Sequence, residues 1–546
     1  MNSLRAKILQ RSNPLKALAK VSVFNSNSST TSIRFHSTNS FSSVSNDPVY
    51  NVAIIGSGAA GFYTASKLLD KRSNINIDIY ESLPVPYGLV RYGVAPDHPE
   101  VKICTNKFDE IGSDPRVRYY GNISIGKDLD LSVSKLRSLY DFVVLSNGTS
   151  AAKKLNIKGE DGEIDQVTNA QKNGIHSGRD FVNYYNGYPH SQSLFHSDFL
   201  SKGSSGKSII FGVGNVSLDI ARILLSDIDT LSKTDITSSY LEMLAKSTIK
   251  HVDIVGRRGA LQSAFTTKEL RELLKLPNVN FKFNYAELKK ELDSDYARNV
   301  LPKSRQIKRK IDLLLQYENE KIQTSPVERL SNAISDSKSN KEKSWSLKFF
   351  MSPTSIENHP SQNCQIINLT RNNLIINQDL STKLVAVPQS QVSEHVDVAF
   401  RSIGYESTQT DGFPFDQVKK IVPNISGRVF DPSTNDLVDG LYVSGWAKTG
   451  PTGVLASTMQ DAYETAFAID SDIQNHIDSV SSSGYIKSLS RSDIDKELQL
   501  SGVLGKSINY SQWIKIKEYE KKSGNNVGKV SEKVVDINKM IEIANS

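Results

Sequence analysis

Two short glycine runs hold the residues of this chain best suited to chemistry. The first, Gly56-Ser57-Gly58-Ala59-Ala60-Gly61, follows the apolar run Val52-Ala53-Ile54-Ile55 and leads into Phe62, Ala65, Leu68 and Leu69 at helical spacing. Strand, G-x-G-x-x-G and helix in that order form a phosphate cradle. Gly56 permits the tight turn, Gly58 lets backbone amides approach a pyrophosphate at the helix N-terminus, and Gly61 lets the helix lie close to the strand. A second apolar-alternating segment, Ile75 to Tyr80, ends at Glu81, which is placed to accept from a ribose hydroxyl and disfavours a 2′-phosphate. The pattern alone could be a plain strand-to-helix turn. With both strands and the acid it reads as a site for FAD or NAD.

The second run, Gly212-Val213-Gly214-Asn215-Val216-Ser217, follows Ser208-Ile209-Ile210-Phe211 and leads into a helix through Asp219, Ala221, Ile223 and Leu224. Ser217 stands at the third glycine position, where a small side chain still allows the helix to pack. At the end of the next strand, His251 to Val255, an NAD site would carry an acid; this chain has Gly256-Arg257-Arg258. Two planar guanidiniums suit a 2′-phosphate and point to NADP(H), against the bland alternative of a solvated basic pair.

The elements needed to position these loops indicate an α/β chain. Tyr140 to Gly148 reads as a buried parallel strand and turn, as do Val396 to Phe400 and Gly440 to Trp446, and Lys448 to Ala456 is a glycine-punctuated loop feeding a helix to about Ile469. The expected fold is two Rossmann-like dinucleotide-binding domains, with the second inserted into the first. Its boundaries are 47–150 for the first part of an FAD-type domain, 151–400 for an NADP-type domain, and 401–546 for the resumed FAD-type domain and a polar helical tail. Residues 325–345 and 474–495 read as surface connections.

A length of 546 residues exceeds a single core. Only Cys104 and Cys364 are present, which excludes a disulfide framework, a four-cysteine metal or iron–sulfur site and a CxxC pair, so electron chemistry must use a bound cofactor. Mean hydropathy is −0.36, and no apolar run has membrane length. The net charge of +7 invites a nucleic-acid reading, but residues 1–46 hold six basic and no acidic residues, leaving +1 for the rest. That leader has 12 serines, and Leu4, Ile8, Leu15 and Leu18 could form an apolar face beside its cations. Its composition is that of a mitochondrial transit peptide, with a plastid address or a disordered basic tail as alternatives.

Several blocks together resemble the mitochondrial NADPH:adrenodoxin reductase family, the adrenodoxin-type ferredoxin:NADP reductases. They are Pro86 to Pro99 (PYGLVRYGVAPDHP), Gly214-Asn215-Val216, Gly256 to Gly259, Lys268 to Glu272, Gly445-Trp446 and Gly450 to Gly453, and the resemblance runs from about residue 50 to the C-terminus. It implies a glutathione-reductase-like flavoprotein of the mitochondrial matrix that takes a hydride from NADPH onto FAD and passes single electrons to a [2Fe–2S] ferredoxin. The ferredoxin serves P450s or iron–sulfur and haem biosynthesis. The resemblance places Ala60, Glu81, Leu89, Ile125, Trp446 and Gly453, Val454 and Leu455 around FAD. It places Gly214, Asn215, Val216, Ser217, Arg257, Arg258 and Glu269 around NADP(H), His98 and Asp219 near the flavin, and Arg271 at a docking position. Departures are Ala59 where Pro is common, Asn147 and Thr149 where Tyr and Ala are common, and Thr449 where an Arg follows Lys448.

The expected partner is an acidic ferredoxin, bound transiently. Because the chain beyond residue 46 is nearly neutral, attraction has to come from a local patch. Lys303, Arg305, Lys308, Arg309 and Lys310 form a basic stretch in which Arg305, Lys308 and Arg309 share a helical face. A solvated face with no partner is the plain alternative. No nucleic acid and no spanning helix are expected, which leaves room for peripheral association with the inner membrane. Rival functions are a flavin monooxygenase, an NADPH-oxidising flavin subunit of a larger complex, and an NADP(H)-binding sensor. Bound flavin would separate the enzymes from the sensor, and ferredoxin reduction against oxygen-coupled turnover would separate the enzymes from each other.

Overall fold

The computed structural model describes residues 48–166, 171–323, 343–377, 381–483 and 489–546. The transit-peptide expectation for residues 1–46 lies outside these, as does most of the surface connection expected over 325–345, whose last three residues begin the strand Lys343–Lys348.

Near-continuous apolar runs become interior parallel strands because both of their faces are covered. Tyr50–Ile55 is buried at every position. It lies at the heart of a seven-stranded sheet ordered Asn424–Ile425, Arg428–Asp431, Asp436–Val443, Phe142–Leu145, Tyr50–Ile55, Ile75–Tyr80, Val117–Tyr120. The last five are mutually parallel, and the first two add an antiparallel edge. The register pairs Ile55 with both Tyr80 and Leu145, and Leu145 with Val443. The carboxyl ends are therefore level, and Gly56, Glu81, Ser146 and Ser444 emerge along one edge, where an open α/β sheet binds ligands.

A six-stranded, all-parallel sheet has the order Ile175–Ser177, Val398–Arg401, Lys207–Phe211, His251–Val255, Lys343–Lys348, Val279–Phe283. Phe211 is level with Val255 and Arg401, so Gly212, Gly256 and Ser402 share an edge. All of its strands fall between the two segments that build the first sheet. This is the expected pair of Rossmann-like units, one interrupting the other. The antiparallel pairing of Ala151–Ala152 with Tyr405–Glu406 joins the two crossing chains.

Three features depart from expectation. The helix starting at Leu455 continues to Ser483, and a further helix spans Arg491–Leu500, so most of 474–495 is helical and not a loose connection. Ala462, Ala466, Ile469 and Ile473 on the long helix are buried at 3–4-residue spacing, and the small alanines let it pack on the helix Ala59–Lys71. The C-terminal segment is no polar appendage: Trp513, Ile516 and Met540 are buried in the core of the first sheet. Finally, Met351–Asn358, Gln365–Ile376, Thr382–Ala386 and Val392–Val396 form an antiparallel layer whose Met351, Ile356, Ile367 and Leu369 pack on Ile209, Phe211 and Val255.

The C-terminal helix Tyr510–Asn526 is joined to the Pro86–Tyr92 segment by a buried ion pair, Arg91 Nη2 to Glu520 Oε1 at 2.5 Å, and the same oxygen accepts from the Val534 amide at 2.9 Å. Removing one partner of a buried pair leaves an uncompensated charge. Glu520→Ala is expected to destabilise the protein by about 3–5 kcal/mol in denaturant titrations, while Arg91→Met combined with Glu520→Met recovers most of that loss.

Candidate functional site

Helix geometry and bare backbone build the first cradle. Gly58 is the N-cap of the helix Ala59–Lys71, with extended dihedrals and no side chain capping the first amides. Those amides remain available to an anion. Gly56 has φ +101°, and a β-carbon there would lie 2.7 Å from the Ser146 carbonyl oxygen; one at Gly61 would lie 2.2 Å from the Gly56 oxygen. These two glycines are fixed by the protein's own packing. At Gly58 a β-carbon would meet nothing within 4 Å. The protein's own packing leaves the space beside Gly58 open.

Glu81 leaves the second strand and accepts through Oε2 from the Ser57 amide at 3.0 Å and hydroxyl at 2.7 Å, and through Oε1 from the Leu83 amide at 3.2 Å. The acid thus holds the glycine loop. The Tyr87 amide donates to the Ser57 carbonyl at 3.0 Å, and Gly88 approaches so closely that its β-carbon would lie 3.3 Å from the Gly58 α-carbon. This brings the exposed Leu89 beside the cradle. Across the edge, a β-carbon at Gly445 would lie 2.5 Å from that of Ala60, so Trp446 also borders the cradle. The Trp446 Nε1 and the Thr149 hydroxyl are buried with no hydrogen-bond partner among the described residues. Ile125 is half-buried and bridged to Leu131. Gly453 and Val454 are exposed and Leu455 half-buried where the long helix begins. Lys448 is buried against Asp461 at 2.8 Å and Glu464 at 2.7 Å, which anchors this loop, while Thr449 is exposed and bonds only to backbone oxygens.

The second cradle repeats the scheme. Gly214 caps the helix Asn215–Leu225 with no side-chain cap and nothing within 4 Å of a β-carbon, whereas one at Gly212 would lie 2.1 Å from the Ser402 carbonyl oxygen. Ser217 is fully buried, so the third position accepts a hydroxymethyl group. Asn215 Oδ1 accepts from the Thr266 amide at 2.8 Å, and Thr266 donates its hydroxyl to Glu269, tying Glu269 to this loop. Arg257 is exposed and Arg258 half-exposed, and neither guanidinium meets a carboxylate among the described residues. Val216 is half-buried at the first turn of the helix.

His98 and Asp219 come together in a buried ionic cluster. Arg222, one turn after Asp219, donates Nε to Asp97 Oδ2 at 2.6 Å and Nη2 to Oδ1 at 3.0 Å, and its Nη1 lies 2.8 Å from Asp219 Oδ1. His98 Nε2 is 2.7 Å from Glu272 Oε2, which lies 3.8 Å from Arg222 Nη1. Burial would lower the Arg222 pKa, but the bonds to Asp97 and the field of Asp219 keep it raised. Burial pushes the Asp219 carboxyl up despite that neighbour. The Asp97–Arg222 pair was not assigned from sequence; the available signal was Arg222 three residues after Asp219 on one helical face.

Arg271, Lys303, Arg305, Lys308 and Arg309 are all exposed, and the helix Thr267–Leu274 packs on the helix Arg305–Gln323. Lys310 does not share their face. It is buried and donates to the Ser263 carbonyl at 2.5 Å, because Lys310, Ile311 and Leu314 fall on the core side of the helix.

No protein-family profile matches the chain. It is 38% identical over 497 residues to the mitochondrial NADPH:adrenodoxin oxidoreductase of Salvelinus fontinalis, covering 90% of this chain and 91% of that one. The Homo sapiens protein of that name is 37% identical over 496 residues, with 90% and 91% covered. A probable one from Schizosaccharomyces pombe is 38% identical over 444 residues, with 79% and 84% covered. Among solved structures, Mycobacterium tuberculosis FprA in complex with NADPH superposes with a TM-score of 0.76 at 31% identity, over 91% of this chain and all of that one.

The two kinds of glycine separate in a test. Gly58→Val has room in the protein and should fold with near-normal stability yet purify without flavin absorbance. Gly61→Val must displace backbone and should lose about 1–3 kcal/mol or more in thermal denaturation. Full flavin content in Gly58→Val would contradict the cradle.

Proposed function

The chain belongs to the NADPH:adrenodoxin oxidoreductase family, and from that premise we propose how its own residues divide the work. The protein is a mitochondrial FAD-dependent oxidoreductase that passes electrons from NADPH to a ferredoxin. The observation that carries the division is the pair of uncapped helix starts, one between two strands of which the second ends at the acid Glu81, and the other leading to Arg257 and Arg258. The Gly58 edge holds the FAD pyrophosphate, Glu81 receives its ribose, and Trp446 with Gly453 to Leu455 closes over it beside Ala60, Leu89 and Ile125. The Gly214 edge, Asn215 to Ser217 and Glu269 hold NADP(H), with both arginines on the 2′-phosphate. Bound FAD supplies the exchange between a two-electron donor and a one-electron acceptor. The protein contributes orientation, exclusion of water and a fixed field, and hydride delivery needs no protein base. His98 and Asp219 stand in the ionic cluster between the units and act on geometry.

The partner is an acidic [2Fe–2S] ferredoxin in the matrix, docking transiently on the exposed cations Arg271, Lys303, Arg305, Lys308 and Arg309. This placement is supported by the exposure of Arg271, Arg305, Lys308 and Arg309 on two helices that pack together and of Lys303 in the turn before the second, with Lys310 turned inward. No helix among the described residues is long and apolar enough to cross a membrane; any inner-membrane association would be peripheral.

The test compares two acceptors. Charge reversal at Arg271, Arg305 and Arg309 together is expected to raise the KM for a [2Fe–2S] ferredoxin by an order of magnitude or more and to flatten its salt dependence. Ferricyanide reduction by NADPH, which needs no docking, should be spared. Equal loss of both activities would contradict the docking face, and failure of the unmodified protein to reduce any such ferredoxin would contradict the function.

A further inference from the structure

The segment that follows Arg257 and Arg258 is held by two charged side chains that come from outside it, one half-buried and one buried. After Gly259 the chain makes one 3-10 turn, Ala260–Gln262, and then enters the helix Thr267–Leu274. Glu291, on the helix Tyr285–Leu292, accepts from the Ala260 amide at 2.9 Å and the Leu261 amide at 3.1 Å. Gly259 makes room for it: a β-carbon there would lie 2.1 Å from Glu291 Oε1. At the far end of the turn Lys310 donates to the Ser263 carbonyl at 2.5 Å and its ammonium lies 3.1 Å from the Ser263 hydroxyl. The helices bearing Glu291 and Lys310 both pack on the turn, and Lys289 and Glu318 join them at 2.9 Å. On its opposite side the segment is stitched to the second glycine loop. The Ala264 and Phe265 amides donate to the Val213 carbonyl at 2.8 and 3.1 Å, and the Thr266 amide donates to Asn215 Oδ1 at 2.8 Å.

Neither Glu291 nor Lys310 forms an ion pair with an opposite charge among the described residues. Burial raises the Glu291 carboxyl, and burial lowers Lys310 to about 8. Unpaired charges drawn partly or wholly out of water cost stability, and apolar contacts would serve better if the turn mattered only to the fold. What the pair does secure is a fixed relation between the loop carrying the two arginines and the loop that begins the helix at Asn215.

We propose that Glu291 and Lys310 are positioning residues for 2′-phosphate recognition: they clamp the 259–263 turn against the second glycine loop and so set Arg257 and Arg258 for NADPH in preference to NADH. The proposal rests on the assignment of those two arginines above. Neither clamp residue touches the cofactor. Their effect runs through the backbone, so loss of the clamp weakens NADPH and leaves NADH, which has no 2′-phosphate, as it was.

The experiment measures steady-state ferricyanide reduction by the FAD-loaded protein with NADPH and with NADH. Glu291→Ala and Lys310→Met are each expected to raise the KM for NADPH about tenfold with kcat unchanged and NADH kinetics unchanged, and Glu291→Gln, which keeps one acceptor oxygen, to have a smaller effect. Arg257→Ala with Arg258→Ala should lower the NADPH preference by two or more orders of magnitude, and adding Glu291→Ala to that double variant should lower it no further. Should Glu291→Ala not fold, Glu291→Gln carries the same comparison. Equal effects on NADPH and NADH, a fall in kcat, or losses that multiply with the arginine replacements would overturn the proposal. An unchanged preference in the arginine double variant would overturn the arginine assignment itself. A lost preference there, with none lost in Glu291→Ala or Glu291→Gln, would overturn the clamp alone.

Discussion

Arg222, 3% exposed on the helix behind the second glycine loop, donates to both oxygens of Asp97 on the segment that follows the first cradle. Asp219 and Glu272 lie on the same guanidinium, and Glu272 in turn meets His98. A buried guanidinium is tolerated only when its partners are in place, so this cluster has one good arrangement and resists sliding. Each cradle can form within its own sheet. Their mutual position is another matter, because two nucleotides must meet at their reactive rings, and a small misplacement costs rate steeply. The cluster supplies that constraint from both sides of the boundary.

Other contacts act in the same direction. Lys533, near the C-terminus, lies 2.9 Å from Asp235, which also accepts from Lys102 at 2.7 Å, and Ser238 donates to Glu532. The last forty residues therefore touch elements of both units while their apolar side chains fill the core of the first. The Arg91–Glu520 pair makes the link continuous with the Pro86–Tyr92 segment, which closes on the Gly58 loop.

Much of this was legible in the chain itself. Buried parallel strands announce themselves as unbroken apolar runs, and Gly56, Gly58 and Gly212 mark places where backbone has to turn or stay bare, so the cradles, the strand-terminal acid and the arginine pair could be read locally. The burial of the C-terminal helices could not, because Trp513, Ile516 and Met540 are spaced among lysines and serines and reveal their buried face only when a sheet is there to receive it. Lys310 misled for a related reason: a run of cations looks uniform in sequence, but at about 100° per residue one member of the run turns inward. The ionic cluster was the least legible part. Asp97 and Arg222 are far apart in sequence, and no local pattern reports a long-range pair.

Whether the carboxylates around Arg222 keep the two cradles in working register is measured by rapid mixing of FAD-loaded Asp97→Asn with saturating NADPH. Asparagine keeps the shape and removes the charge. A lower limiting rate of flavin bleaching is expected, while FAD content and the dissociation constant for NADP⁺ stay as in the unmodified protein. An unchanged limiting rate, or a loss confined to nucleotide affinity, would contradict it.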